Sequence, residues 1–104
     1  MTNINVDRKD LLNFFTSFGK GVTDVRMACA GNRITVEVGF SQYYLRKHIS
    51  NVTVKEEGFI HIAFLEKAIA FLKATKQDNV VLRQVTPVKP LHIEAGGNKI
   101  QLPS

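Results

Sequence analysis

The sequence of 104 residues is poor in cysteine, glycine and proline, and it has no long apolar run. Its single cysteine, Cys29, cannot form a disulfide within the chain, so nothing favours secretion and a reducing cytoplasm is the expected location. No apolar run approaches the ~20 residues that a membrane-spanning helix needs. Residues 1–5 also lack the basic start and apolar stretch of a signal peptide. We therefore expect a cytoplasmic protein with no membrane partner.

The composition is that of an ordinary folded protein. Hydrophobic residues make up 44% of the chain, and the length suits one compact domain over residues 1–104, since it is too short for two. The formal net charge is +5. This excess of Lys and Arg favours a polyanionic partner such as nucleic acid or an acidic membrane surface, although many basic proteins bind neither.

The first half of the chain predicts a strand, a helix and three more strands. Residues 2–6 alternate in polarity like a half-buried strand, and Asp7 is a suitable helix N-cap. The helix is expected over 8–18, and further strands over 22–29, 33–39 and about 40–49, with a turn at 30–32. The apolar residues that share one face of this helix are Leu11, Leu12, Phe14, Phe15 and Phe18.

The second half repeats this order. A short strand is expected over 59–62, a helix over 65–76, and strands over 80–85, 91–95 and 99–102; residues 51–57 predict a connecting strand or loop. Gly96-Gly97-Asn98 is a hairpin signal. The buried arc of the second helix is expected to hold Phe64, Leu65, Ala68, Ile69, Phe71 and Leu72.

The two halves match at an offset of 56 or 57 residues, which indicates an internal repeat. The positions that match best include Ile4 with Ile60, Val6 with Ile62, and Asp10 with Glu66. We therefore expect an α+β domain built from a duplicated βαβββ unit, with halves at about 1–57 and 58–104. The two helices would lie on one face of antiparallel sheets, because only a shared sheet layer can cover both apolar helix faces. Their polar faces would then form one exposed surface.

The order and spacing of these elements resemble one domain of the DNA polymerase sliding clamp, the bacterial β clamp in particular. The segments that carry the resemblance are Val6-Asp7-Arg8-Lys9-Asp10-Leu11-Leu12, residues 31–36, Gly58-Phe59-Ile60, residues 91–97 and residues 100–104. A departure occurs at Gly39-Phe40-Ser41-Gln42, where the family usually has a Thr-Asp-like step. The resemblance implies a DNA-clamp-type fold and a processivity factor of DNA replication, with duplex DNA, a polymerase or a clamp loader as partners.

The resemblance also implies assembly. A bacterial clamp subunit joins three such domains and other clamps join two, whereas this sequence holds one. We expect a homo-oligomer, a domain of a longer multidomain chain, or a relative that forms no ring. The stop at residues 102–104, where the family's next domain would begin, favours a fragment.

A clamp must hold phosphates independently of sequence and without tight docking, and Lys and Arg on a rigid surface do this. The candidate DNA-binding residues are Arg8, Lys9, Lys20, Lys67, Lys73 and Lys76. Lys20 matches, by its place in the loop after the first helix, a basic site with which the family touches DNA. The alternative is that these lysines form an ordinary solvated face, and Asp10 and Glu66 dilute the positive charge.

In a clamp the last strand of each half lies at an open sheet edge and pairs with a neighbouring domain. Here those strands are about 43–49 and 99–102, and open edges favour strand addition. The candidate interface residues are Tyr43, Tyr44, Leu45, Lys99, Ile100 and Gln101. Two tyrosines suit an interface; the alternative is one tyrosine in the core and one lone exposed ring.

Catalysis has little support in the sequence. His48, His61 and His92 are far apart and show no metal-ligand spacing. Cys29 follows the apolar alternation of its strand, which is typical of a small core residue. The turn at residues 96–98 lacks the helix and lysine of a phosphate-binding loop. We expect no enzyme, no cofactor and no metal.

Three interpretations of function stay open. The first is a clamp domain that acts on duplex DNA. The second is a clamp-fold adaptor or inhibitor that binds replication proteins without encircling DNA. The third is an unrelated small basic α+β domain.

Overall fold

The computed structural model describes residues 1–18, 22–39, 44–49 and 52–103, without the side chains of residues 37–39 and 44–47. The elements in these residues follow one another along the chain as β1 (Thr2–Asp7), α1 (Arg8–Thr16), β2 (Val25–Ala30), β3 (Arg33–Gly39), β4 (Tyr44–Ile49), β5 (Thr53–Glu56), β6 (Gly58–Ile62), α2 (Leu65–Ala74), β7 (Asn79–Gln84), β8 (Leu91–Ala95) and β9 (Asn98–Leu102). This is the twice-repeated strand, helix and three strands, with β5 as an additional strand between the repeats.

The strands form two antiparallel sheets whose first strands are exchanged between the halves. The five-stranded sheet has the order β5-β1-β7-β8-β9, and the four-stranded sheet has the order β4-β3-β2-β6. Thus β1 of the first half extends the strands of the second half, and β6 of the second half extends those of the first. The predicted α+β class, with two helices and antiparallel sheets, is confirmed.

The register of the exchanged strands is equivalent in the two sheets. In one sheet Ile4 of β1 lies opposite Leu82 of β7, and in the other Ile60 of β6 lies opposite Met27 of β2. All four side chains are fully buried. Because Ile4 and Ile60 are also paired by the sequence offset, we propose a pseudo-twofold relation between residues 1–57 and 58–104.

The starts of the two helices make equivalent backbone contacts. The Arg8 N–H donates to the carbonyl of Asp78 over 2.7 Å, and the Leu65 N–H donates to the carbonyl of Thr23 over 3.0 Å. Each helix therefore begins beside the residues that lead into the first long strand of the other half. This arrangement supports the same pseudo-twofold relation.

One hydrophobic core joins the inner faces of both sheets to the apolar stripes of the helices. Phe14 and Phe18 pack edge to face, with ring centroids 5.2 Å apart, in the geometry that aromatic pairs prefer. Leu65, Ala68 and Leu72 form the buried stripe of α2. The stripes leave the opposite sides of both helices exposed, and those sides hold three of the six candidate DNA-binding residues, Lys9, Lys67 and Lys73.

Both helices end two residues before their predicted ends. The N–H of Ser17 still donates to the carbonyl of Asn13, yet Ser17 is the C-cap of α1; helix boundaries commonly differ by this much. Thr75 adopts an extended conformation and stops α2. Residues 51–57 were predicted as a connecting strand or loop, and residues 53–56 of this segment form β5. Residues 40–43, the start of the strand predicted over about 40–49, lie outside the described residues.

The prediction that Phe64 belongs to the buried arc of α2 is wrong. Phe64 is the N-cap residue, with φ −127° and ψ 72°, and it is 42% exposed. A residue with these angles does not follow the 100° rotation of the helix, so the periodicity that places Ala68 and Leu72 inside does not apply to it.

The outer edge of β6 is closed by side chains from the other sheet. The buried carboxamide of Gln84 accepts the His61 N–H over 2.8 Å and donates to the His61 carbonyl over 3.0 Å. The Thr2 hydroxyl donates to the Phe59 carbonyl over 3.2 Å. A Cβ at Gly58 would stand 2.3 Å from that hydroxyl oxygen, so this close approach requires glycine.

Candidate nucleic-acid interface

The two helices are fastened to each other by Arg8. Its Nε donates to the carbonyl of Gln77 over 2.9 Å, and its Nη1 donates to the carbonyl of Leu72 over 3.2 Å. These carbonyls belong to the last turn of α2 and the segment after it. The start of α1 thus lies at the end of α2, and the start of α2 lies beside Thr23, after the end of α1. The helices run antiparallel.

The exposed side of α2 is the most basic part of this surface. Lys67 and Lys73 lie at the two margins of the exposed arc, with Ala70 and Ala74 between them, and Lys76 follows the helix. All five residues are exposed. The two alanines leave part of the surface between the lysines low, and the exposed Glu66 lies in the same arc on the side of Lys73.

The exposed side of α1 is less basic. Lys9 is exposed beside Asp10, and the same side continues with Asn13 and Thr16. Asp10 supports the helix, because its N–H is accepted by the N-cap carboxylate of Asp7 over 3.1 Å and its own carboxylate lies at the positive end of the helix dipole. The helix surface is thus asymmetric, with its positive charge concentrated on α2.

No lysine of this surface is neutralised by an ion pair within the described parts of the chain. The ion pair found there is Arg83 with Glu94, and Asp24 makes a 2.6 Å hydrogen bond with His61. Glu66 is exposed on α2 and reduces the local potential. The remaining ammonium groups are solvated and can exchange counterions for phosphates.

Some predicted site residues lie outside the described residues. Lys20 and Tyr43 are among them, as are the side chains of Tyr44 and Leu45. The structure therefore places Lys9, Lys67, Lys73 and Lys76 on the exposed helix surface, and it places Arg8 at the junction of the two helices.

Both predicted interface strands are the outermost strands of their sheets, since β9 ends the five-stranded sheet and β4 ends the four-stranded sheet. A two-residue turn joins β8 to β9, with Ala95 opposite Asn98. In such a hairpin the pair next to the turn, Ala95 with Asn98, exchanges hydrogen bonds, and hydrogen-bonded and non-hydrogen-bonded pairs then alternate along the strands. The N–H groups of Lys99 and Gln101 consequently point away from β8, and Ile100 is half-buried on the inner face.

A shallow cavity of about 240 Å³ lies where β1 begins and β7 ends. It is lined by Met1, Arg83, Gln84, Val85 and His92. Met1 and Val85 are more than half exposed, and the Nε of Arg83 is buried without a hydrogen-bond partner. The guanidinium of Arg83 is paired with Glu94 and its Nε is buried, so the accessible feature of this cavity is its apolar rim, which suits a protein segment better than a nucleic acid. The sequence patterns did not indicate this cavity.

Neither helix within the described residues is long and apolar enough to cross a membrane. In those same residues, no three His, Cys, Asp or Glu side chains come together as a metal site. Burial raises the pKa of the Cys29 thiol from 9.0 to about 12. The thiolate is therefore scarce at neutral pH, which disfavours nucleophilic chemistry at this residue.

The fold is similar to that of DNA polymerase III beta subunits. The Thermotoga maritima beta subunit superposes with a TM-score of 0.82 at 18% identity, over 99% of this chain and 30% of that chain. The Streptococcus pneumoniae beta chain gives 0.81 at 12% identity, over 99% and 31%. The Helicobacter pylori beta clamp, in complex with carprofen, gives 0.78 at 18% identity, over 97% and 29%.

This chain thus spans about 30% of the length of the clamp chains that it resembles. No protein-family model matches the sequence, and no curated protein matches it. At these low identities the likeness shows the fold, which is that of one domain of a beta sliding clamp.

Proposed function

We propose that this chain is a sliding-clamp domain that holds duplex DNA without sequence preference through the exposed sides of α1 and α2. The observation that carries the proposal is the unneutralised positive charge at Lys67 and Lys73 of α2 and at Lys76 just after it, on a clamp-type fold. The helix fixes where the flexible side chains of Lys67 and Lys73 begin. Phosphate contacts of this kind give affinity but read no bases.

The candidate residues are not equivalent in this proposal. Lys67, Lys73 and Lys76 supply most of the attraction, and Lys9 extends it to α1. Arg8 contributes least, because Leu72 and Gln77 already accept hydrogen bonds from its guanidinium. Lys20, which lies outside the described residues, remains a candidate because its sequence position after α1 resembles that of a basic site in the clamp family.

Assembly through sheet edges is the second part of the proposal. The N–H groups of Lys99 and Gln101 on β9 point outward and can donate hydrogen bonds to the carbonyl groups of an added strand. Strand β4 is the pseudo-equivalent edge in the other sheet. Pairing of β9 with β4 of a neighbouring domain would continue a sheet from one domain to the next, either between copies or within a longer chain.

Binding of the chain to two unrelated fluorescent duplexes tests this function by anisotropy at several salt concentrations. The expected dissociation constants are equal for the two duplexes, on the order of 10⁻⁴ to 10⁻⁶ M at physiological salt, and they rise steeply with salt. A strong preference for one duplex, or binding that salt does not weaken, contradicts the proposal.

A protein-binding adaptor is the second candidate function. The cavity beside Met1 and Val85 supports it, because its exposed apolar rim suits an apolar segment of an extended peptide. Absence of duplex binding even at low salt would favour this function over the first.

A further inference from the structure

The start of α2 has an exposed aromatic ring where a capping side chain is normal. The N-cap positions of helices favour Ser, Thr, Asp and Asn, which accept a hydrogen bond from the first turn. Asp7 fills this role in α1. At the equivalent position of α2 stands Phe64, which makes no side-chain capping bond and is 42% exposed. The N-terminus of α2 therefore has no side-chain cap, and the phenyl ring of Phe64 is accessible to solvent.

The ring borders a small cavity on the basic side of the molecule. The cavity has a volume of about 120 Å³ and is lined by Thr23, Ala63, Phe64, Leu65, Glu66 and Lys67. The Nζ of Lys67 lies 5.2 Å from the centroid of the Phe64 ring. Lys67 therefore forms a cation–π contact with one face of the ring, and Phe64 is still 42% exposed.

We propose that Phe64 stacks against an unpaired base of a single-stranded nucleic acid whose backbone follows the lysines of α2. The proposal rests on the proposed function, since it uses the same helix, and it adds single strands or strand junctions to the duplexes held there. Base stacking on aromatic rings contributes to single-strand binding regardless of sequence, and neighbouring cations hold the backbone. A base inside a duplex offers no free face to the ring.

The charges around the cavity determine which part of a nucleotide enters it. Glu66 repels phosphate from the cavity itself, whereas a neutral base is not repelled. Lys67 lies at its margin, and Lys73 continues the positive charge along the helix. The base therefore occupies the cavity, and the backbone lies along α2. This charge complementarity favours a nucleic acid over an apolar peptide.

The absence of tryptophan from the sequence makes a direct measurement possible. In Phe64→Trp the introduced indole is the sole one in the chain, and stacking on a base quenches its fluorescence. Phe59→Trp is the matched control, because Phe59 is 54% exposed but lies on β6, opposite Ala28 on the outer face of the four-stranded sheet. Both variants are titrated with an oligothymidylate and with a blunt duplex at low salt.

The expected result is strong quenching of Phe64→Trp by oligothymidylate, little quenching by the duplex, and none in Phe59→Trp. Phe64→Ser, which supplies a cap, should fold normally and lose several-fold affinity for oligothymidylate while it keeps its duplex affinity. Equal quenching by strand and duplex, or none by the strand, overturns the inference. Quenching by an aromatic peptide in place of the strand assigns the cavity to a protein.

Duplex anisotropy with the parent chain separates this inference from the proposed function. If the parent binds duplexes and the strand does not quench Phe64→Trp, only the stacking site fails. If the strand quenches Phe64→Trp and duplexes do not bind, the duplex function fails and the stacking site stands.

Discussion

Arg8 carries a positive charge at the positive end of its own helix dipole, where a cation is unfavourable. The structure explains this position, since the guanidinium lies at the negative end of α2 and donates to the carbonyls of Leu72 and Gln77. The sequence indicated a basic residue on a helix, but it could not indicate that the partner is another helix 64 residues away. The unfavourable charge was the available signal.

We expect Arg8→Ala to lower the free energy of unfolding by about 2 kcal/mol, because hydrogen bonds from a charged group are lost and the end of α2 is uncapped. Urea unfolding measures this change. Arg33→Ala, at an exposed position, is the control and should be near neutral. The salt dependence of duplex binding should stay the same in Arg8→Ala, and a slope lower by one unit or more would show that Arg8 contacts phosphate.

Phe64 shows where helix periodicity ceases to predict burial. The 3.6-residue pattern was right for Leu65, Ala68 and Leu72, because residues inside a helix share one rotation. It failed at the N-cap, whose backbone is not helical. A phenylalanine at a position that favours Ser or Asp was the signal that this residue serves another purpose.

The edge strands follow from element order. In each half the third strand after the helix is outermost, namely β4 and β9, because β5, which follows β4, pairs with β1 in the other sheet. The sequence did not reveal that β6 is also a sheet edge, or that Gln84 and Thr2 close it. These contacts join the side chains of Thr2 and Gln84 to backbone groups of β6 in the other sheet, and no local sequence pattern predicts such tertiary contacts.

We expect Gln101→Pro to reduce self-association while the domain stays folded, because the N–H of Gln101 points away from β8 and is not needed within the chain. Light scattering should give a mass above one chain for the parent and a lower mass for the variant. Ile100→Pro is the control, since it removes a hydrogen bond to β8 and should destabilise the fold. An oligomer of unchanged mass in Gln101→Pro would exclude this edge as the contact.

The two halves of the molecule exchange their first strands, β1 and β6. Gln84 connects the two sheets through its side-chain hydrogen bonds. Its carboxamide is fully buried and bonds both backbone groups of His61. We expect Gln84→Leu to lower the free energy of unfolding by about 3 kcal/mol, because two partly buried backbone groups of His61 lose their hydrogen-bond partner. Gln101→Leu, at an exposed position, should change it little. Equal thermal stability of the two variants would contradict this role.

The repeat was visible in the sequence because matched apolar positions recur with matched element order, as with Ile4 and Ile60. Strand exchange between the halves was not visible, since which strand lies beside β1 depends on tertiary packing. The charge of the helix surface was predicted from Lys67, Lys73 and Lys76, and their exposure agrees. Its function was not decided by sequence, because exposed lysines occur on many solvated helices.

Duplex binding after charge reversal on α2 tests the central claim most directly. Lys73→Glu with Lys76→Glu changes the proposed surface, whereas Lys55→Glu with Lys89→Glu changes exposed lysines on β5 and in the loop after β7. Each Lys→Glu substitution lowers the net charge by two, so the net charge of both double variants falls from +5 to +1. The comparison therefore separates position from total charge.

Fluorescence anisotropy over a range of salt concentrations supplies the measurement. We expect the Lys73 and Lys76 double variant to bind two unrelated duplexes equally weakly, with a salt slope lower by about two units, one for each lost phosphate contact. The Lys55 and Lys89 double variant should keep nearly the parent slope. Equal losses in both double variants, or an unchanged slope in the first, would contradict a DNA-holding surface on α2.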